Sequence, residues 1–160
     1  LAIYLNEQWE MSIEKDIRQR SFINEYQKGI VNLLFTYSWV NEQLKAIFEK
    51  EKLTPQQFNI LRILRGSKEP LSTMQIRERM LDKMSDTSRI VDRLVAKGMA
   101  SKKTSKTDKR LVDICITEAG LQVLAQMDTY QQEIDDILSR LTIDEAAQLN
   151  QLLDKLRGSL

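Results

Sequence analysis

The 160 residues are 42% hydrophobic and 29% charged, an ordinary soluble mixture that supports one packed domain and leaves no room for a second, catalytic one. Histidine is absent, there is one cysteine, and glycine and proline number five and two. That inventory excludes Ser-His-Asp and Cys-His nucleophilic sites, histidine-ligated metals, zinc fingers and internal disulfides, and no cofactor is expected. The net charge of +1 is a cancellation: residues 51–113 hold 15 Lys/Arg against 8 Asp/Glu, a net +7, between −1 for residues 1–50 and −5 for residues 114–160. A phosphate backbone requires such a cationic block, although a solvated helical face would carry one as well.

No stretch reaches the ~18–20 consecutive apolar residues of a membrane span. Asn6, Glu7 and Glu10 interrupt any apolar run near the start, so no leader and no membrane contact is expected, and the location is expected to be cytoplasmic. The chain opens at Leu1, and Met11 is the natural starting methionine; residues 1–10 are therefore kept out of the functional reading.

From Ile23 to Phe48, apolar residues recur at helical spacing over more than twenty positions, which predicts one long amphipathic helix. Thr54, Pro55 and Gln57 form a capping box with proline in the first turn, opening a helix from Pro55 to about Arg65. Gly66 should end it in a left-handed conformation. Ser72 with Gln75 repeats the capping pattern and starts a short helix to about Met80. After a break at Asp82-Lys83-Met84, Ser85 can cap the next helix, which runs to Lys97 and ends at Gly98. Two short helices joined by a tight turn outline either a helix-turn-helix or an ordinary helical hairpin.

The period then changes. Met99 to Lys103 and Leu111 to Ile116 alternate as strands do, with Val112, Ile114 and Ile116 on one face. The polar, basic run 104–110 between them reads as a projecting wing. Thr117 caps a second long helix with Leu121, Leu124, Met127, Ile134, Ile137, Leu138 and Leu141 in its stripe. Thr142 with Glu145 opens a last helix carrying Leu149, Leu152, Leu153 and Leu156. The expected fold is mainly α with a small β wing, a winged helix-turn-helix flanked by long dimerisation helices. Residues 1–50 would form an N-terminal extension and dimerisation helix, 51–117 the DNA-binding region, and 118–160 the C-terminal dimerisation helices. The terminal stripes exceed what so small a domain can bury, which points to a second copy, with an intramolecular bundle as the alternative.

On a helical wheel, Ile90, Val91, Leu94 and Val95, with Thr87 beside them, share one arc; Ser85, Ser88, Arg89, Asp92, Arg93, Ala96 and Lys97 share the opposite one. The hydroxyls of Ser85 and Ser88 can reach base edges or phosphates, and Arg89 can make the two-pronged contact to guanine. Arg93 and Lys97 suit phosphate contact or an internal pair equally. Asp86 and Asp92 are unfavourable near phosphate unless they orient an arginine or accept from cytosine. Residues 97–110 set Lys97, Lys102, Lys103, Lys106, Lys109 and Arg110 against Asp108 alone, on a hairpin able to reach a minor groove or a phosphate wall. Asp108 can hold Arg110 or simply stabilise the turn. The predicted DNA-contacting set is Ser72, Thr73, Ser85, Asp86, Ser88, Arg89, Arg93, Lys106, Asp108, Lys109 and Arg110.

The run from Ser85 to Met99, then Asp108-Lys109-Arg110, then Ile116-Thr117-Glu118-Ala119-Gly120 resembles the MarR family of bacterial transcriptional regulators. An Asp-x-Arg wing and a Thr-Glu-x-Gly helix start follow a recognition helix ending in Leu-x-x-x-Gly; order and spacing match over residues 54–120. The resemblance implies a winged-helix homodimer on a palindromic double-stranded operator, acting as a repressor relieved by a small phenolic or anionic ligand. It implies wing contact for Arg110, an orienting role for Asp108, and major-groove reading by the first half of the 85–97 helix. Family members that sense peroxides use a cysteine near the start of the first long helix, and this chain has none there. Cys115 reads as a small half-buried strand residue, with no resolving partner nearby. Tyr37 and Trp39 lie where a ligand pocket could form, and aromatic residues on a long helix also serve as core. Two other classes are set beside this reading: a winged-helix protein-interaction module without DNA binding, against which the serine–arginine face and basic wing argue, and a small enzyme, which the missing motifs disfavour.

Overall fold

The computed structural model describes residues 12–104 and 112–158. They form helices α1 (Ile13–Asp16), α2 (Glu25–Glu49), α3 (Pro55–Arg65), α4 (Thr73–Arg79) and α5 (Thr87–Ala96), strands β1 (Ala100–Thr104) and β2 (Val112–Ile116), then α6 (Glu118–Asp128), α7 (Gln131–Asp136) and α8 (Ile143–Leu156). The mainly helical architecture with a two-stranded antiparallel sheet is the expected one. None of the described helices is long and apolar enough to cross a membrane.

The chain divides into two compact units, residues 1–42 and 43–160. In the first, α1 is followed by most of α2, and Lys28 Nζ pairs with Glu14 Oε1 at 2.7 Å. The helical stripe predicted from Ile23 onward is present, but Ile23, Tyr26, Ile30, Leu34 and Tyr37 are all more than 60% exposed. Trp39 is also exposed.

The second unit holds the core. Ile60, Leu61 and Leu64 of α3, Ile76 of α4, Val91 and Leu94 of α5, Ile114 of β2, and Leu124 and Met127 of α6 are buried together with Phe48 and Leu53. These positions recur every three or four residues along each helix, so one stripe per helix meets at a common centre. The capping boxes read from Thr54–Gln57, Ser72–Gln75 and Thr142–Glu145 are all formed. The strands pair Ala100 with Ile116, Lys102 with Ile114 and Thr104 with Val112.

A third strand position escapes sequence reading. Leu71 exchanges backbone hydrogen bonds with Ile114 at 3.0 and 2.9 Å, extending the sheet by one bridge. A single residue after Pro70 shows no alternation that could announce it.

Three local expectations are corrected. Gly66 closes α3 at φ −77°, in the right-handed region, because its N–H still bonds Arg62 O as a continuing turn does. Ser85 does not cap the recognition helix: Asp86 does, with its carboxylate accepting from Arg89 N at 3.1 Å. The long helix expected from Thr117 to Leu141 is broken into α6, α7 and a run of turns. At both breaks a hydroxyl bonds the carbonyl three residues back, Thr129 to Gln126 O at 2.7 Å and Ser139 to Asp136 O at 2.8 Å, in competition with the helical ladder. Tyr130 at the first break is held by its hydroxyl on Glu51 Oε1 at 3.0 Å, with Lys50 over its ring.

The junction of α5, the sheet and α6 explains the glycines of the motif. Gly98 adopts φ +70°, a left-handed conformation that costs a side-chain-bearing residue about 1–2 kcal/mol. Thr117 donates its hydroxyl to Gly98 O at 2.6 Å and its N–H to Met99 O at 3.1 Å, and accepts from Gly120 N at 3.2 Å. A Cβ on Gly120 would stand 2.3 Å from Met99 O, so only glycine allows α6 to start this close to the end of α5.

Candidate nucleic-acid interface

The helix-turn-helix surface is built from α4, the turn 80–86 and α5. In the turn, the Asp82 carboxylate accepts from Met84 N–H at 3.0 Å and from the Ser85 hydroxyl at 2.6 Å. Those bonds, the Ser85 hydroxyl foremost, hold the Asp82 carboxyl below its ordinary range. The turn is thereby fixed, and the Asp86 cap orients the first turn of α5 behind it. Ile90, Val91, Leu94 and Val95 face inward, as the wheel predicts, and Thr87 is buried with them. Ser88, Arg89, Asp92 and Arg93 are exposed on the other side.

The cations of the +7 block then separate into two groups. Arg65 is bidentate on Asp128, at 2.7 and 3.2 Å, which ties α3 to α6. Lys102 of β1 pairs with Asp92 of α5, so the aspartate that seemed hostile to phosphate holds the wing strand against the recognition helix. Lys83 closes on Glu78 O. Lys97 donates to Lys52 O at 2.5 Å and Gln57 Oε1 at 3.3 Å, hydrogen bonds within the chain rather than the internal ion pair that one of its readings allowed. Arg77, Arg89 and Arg93, by contrast, form no ion pair or hydrogen bond through their guanidinium groups with any described residue. These three guanidiniums, unpaired among the described residues, sit on α4 and α5, while the occupied cations brace the fold.

Two grooves flank Ser85. One, of about 420 Å³, lies between the first turns of α4 and α5 and is lined by Thr73, Met74, Arg77, Met84, Ser85 and Ser88 among others. The other, of about 260 Å³, is lined by Thr54, Gln56, Ile90 and Arg93 among others. Of the predicted contact set, Thr73, Ser85, Asp86, Ser88 and Arg93 line these grooves and Arg89 is exposed beside them, while Ser72 Oγ and Asp86 Oδ1 serve as helix caps. Lys106, Asp108, Lys109 and Arg110 lie outside the described residues. Met74, Met84 and Arg77 were missed; the only signal in the sequence was that the two methionines fall off the apolar stripe of their segment.

A hydroxyl-lined groove edged by unpaired arginines, a capped recognition helix and a strand pair braced against it define a winged helix-turn-helix DNA-binding transcriptional regulator. The MarR family model matches residues 52–111. The HTH-type transcriptional regulator MhqR of Bacillus subtilis (strain 168) is 28% identical over 130 residues, covering 80% of this chain and 88% of MhqR. A mutant of Escherichia coli MarR, solved in complex with operator DNA, superposes with a TM-score of 0.77 at 23% identity, over 85% of this chain and 98% of that one. Bordetella bronchiseptica BpsR, whose structure addresses regulation of its DNA binding by 6-hydroxynicotinic acid, gives 0.70 at 21% identity over 78% and 95%. The chain is thus similar to the MarR family over residues 52–111 and to an HTH-type transcriptional regulator over 80% of its length.

Proposed function

We propose that two copies of this chain bind a near-palindromic double-stranded operator and repress transcription in the cytoplasm until a small phenolic or anionic ligand releases them. The observation that carries the reading is the set of unpaired guanidiniums of Arg77, Arg89 and Arg93 beside the hydroxyls of Thr73, Ser85 and Ser88. Residues 51–117 supply this surface, with Arg110 of the wing reaching backbone or minor groove under the orientation of Asp108, and Lys106 and Lys109 adding phosphate contacts. Residues 1–50 and 118–160 supply the dimer contacts. Support for a dimer comes from two exposed apolar faces: the α2 stripe, and Ile143, Leu152 and Leu156 of α8 at 65–89% exposure. Ligand release is supported by the regulation named for BpsR, a protein of the same fold.

Selection from random duplexes at moderate salt tests the whole reading. The recovered motif should contain two inverted half-sites about one helical turn apart, and its affinity should fall steeply with salt. Recovery of no motif, or binding without a salt slope, overturns it and returns the chain to a protein-interaction module.

A further inference from the structure

The outward face of the helix-turn-helix carries two side chains that charge and hydroxyl chemistry do not explain. Met84 is 92% exposed and Met74 is 68% exposed, and both line the groove of about 420 Å³ between α4 and α5. Met84 is not on a loose tip: the Asp82 carboxylate bonds its N–H and the neighbouring Ser85 hydroxyl, so the turn presents the thioether outward. The surrounding chemistry selects what can cover it. Thr73, Ser85 and Ser88 offer hydroxyls and Arg77 offers a guanidinium that is unpaired among the described residues, with Arg89 exposed next to Ser88; Asp86, the acid lining the groove, accepts from Arg89 N through Oδ1 as the helix cap. An apolar helix seated here would bury those cations without partners, which is strongly unfavourable. The major groove of DNA supplies the complement: phosphates at its edge, donors and acceptors on its floor, and one apolar group, the C5-methyl of thymine. An unbranched thioether adapts its shape to such a methyl.

Resting on the DNA-binding reading above, we propose that Met84, with Met74 beside it, reads thymine in each half-site by packing its thioether against the C5-methyl group. Specificity at that position comes from apolar contact, next to the hydrogen-bonding positions served by Ser85, Ser88 and Arg89.

The test uses the full chain and the duplex recovered by selection, with each thymine replaced in turn by uracil. That exchange removes one methyl and leaves base pairing and phosphates intact. For the unaltered chain, affinity should fall about fourfold at one or more thymines per half-site, the equivalent of the ~0.8 kcal/mol lost per buried methyl-sized group. Met84→Ala should bind with the same salt slope, and the uracil penalty at those positions should shrink toward onefold. Met74→Ala should reduce it less. Both side chains are exposed, so thermal unfolding should be unchanged and will confirm that the variants fold. The proposal is overturned if uracil carries no penalty for the unaltered chain, if the penalty survives in both variants, or if Met84→Ala instead dissociates the dimer, which would mark the patch as a protein contact. If no motif is selected at all, it is the DNA-binding reading that fails, and thymine reading falls with it.

Discussion

Replacing Lys97 with alanine distinguishes a lysine that braces the fold from one that touches DNA. Its ammonium donates to Lys52 O at 2.5 Å and to Gln57 Oε1 at 3.3 Å. Lys52 stands at φ +55°, a left-handed conformation that costs a lysine about 1–2 kcal/mol, and the bond to its carbonyl helps hold it there. Gln57 Oε1 also accepts from Thr54 N at 3.1 Å, so the same oxygen joins the α3 cap to the end of α5. A charge-assisted hydrogen bond contributes about 1.5–3 kcal/mol when shielded; Lys97 is exposed, so screening reduces the pair to about 1–2 kcal/mol in total. At about 2–4 °C per kcal/mol for a chain of this size, Tm should fall by roughly 2–8 °C. A phosphate-contacting lysine would behave oppositely: its loss lowers the slope of log K against log salt by about 0.9 per contact and leaves Tm unchanged. Thermal unfolding and a salt titration of duplex binding, on the same preparation, separate the two. A reduced slope with an unaltered Tm would refute the internal role of Lys97.

Arg89→Ala should do the reverse of Lys97→Ala, weakening binding about 5–150-fold by the ~1–3 kcal/mol of a bidentate base contact while Tm shifts by no more than about 2 °C; unchanged affinity would take Arg89 off the interface. Gly120→Ala must separate the start of α6 from Met99 O, where its Cβ would stand at 2.3 Å; overpacking of about 1–3 kcal/mol plus the strained Thr117 bonds should lower Tm by about 5–15 °C, and a Tm within about 2 °C of the unaltered chain would contradict the close approach. The Asp82 carboxyl is held below its ordinary range, so its hold on the turn is complete above that range and is lost as pH falls through the lowered value; the Met84 amide resonance should therefore titrate with a midpoint below that of a free aspartate, and a midpoint at or above it would rule the clamp out. Leu152→Glu together with Leu156→Glu should shift sedimentation from dimer to monomer, since both side chains are exposed on the free face of α8; a persistent dimer would place the interface elsewhere.

Sequence reading succeeded where a local rule decides the outcome. The three capping boxes, the inward arc of α5 and the strand pair each depend on residues within four positions of one another or on a single period. It failed where a tertiary partner outvotes the local pattern. Ser85 is a good cap by type, but Asp82 claims its hydroxyl and Asp86 takes the position. The stripe from Leu121 to Leu141 is helical in period, yet Thr129 and Ser139 bond backward and Tyr130 is drawn to Glu51 and Lys50, both remote in sequence. For the candidate site, residue type located the surface but could not say which cations were free. Lys97, Lys102 and Arg89 look alike on the wheel or in the charge count, and only the positions of Gln57, Asp92 and the open groove separate them.

That separation changes what the charge arithmetic predicts. If every net charge of the +7 block met phosphate, a dimer would make about 14 contacts and show a salt slope near roughly −13. Arg65, Lys83, Lys97 and Lys102 are engaged within the chain. The described part of the interface retains Arg77, Arg89 and Arg93, about six contacts per dimer and a slope of about −5. The wing lysines and Arg110 add the remainder. Replacing Lys106, Lys109 and Arg110 together by alanine should therefore bring the measured slope to about −5, with Tm unchanged. A slope that stays at about −10 in that variant would mean that the internally paired cations reach phosphate after all, and that the pairs seen in the free chain open when DNA binds.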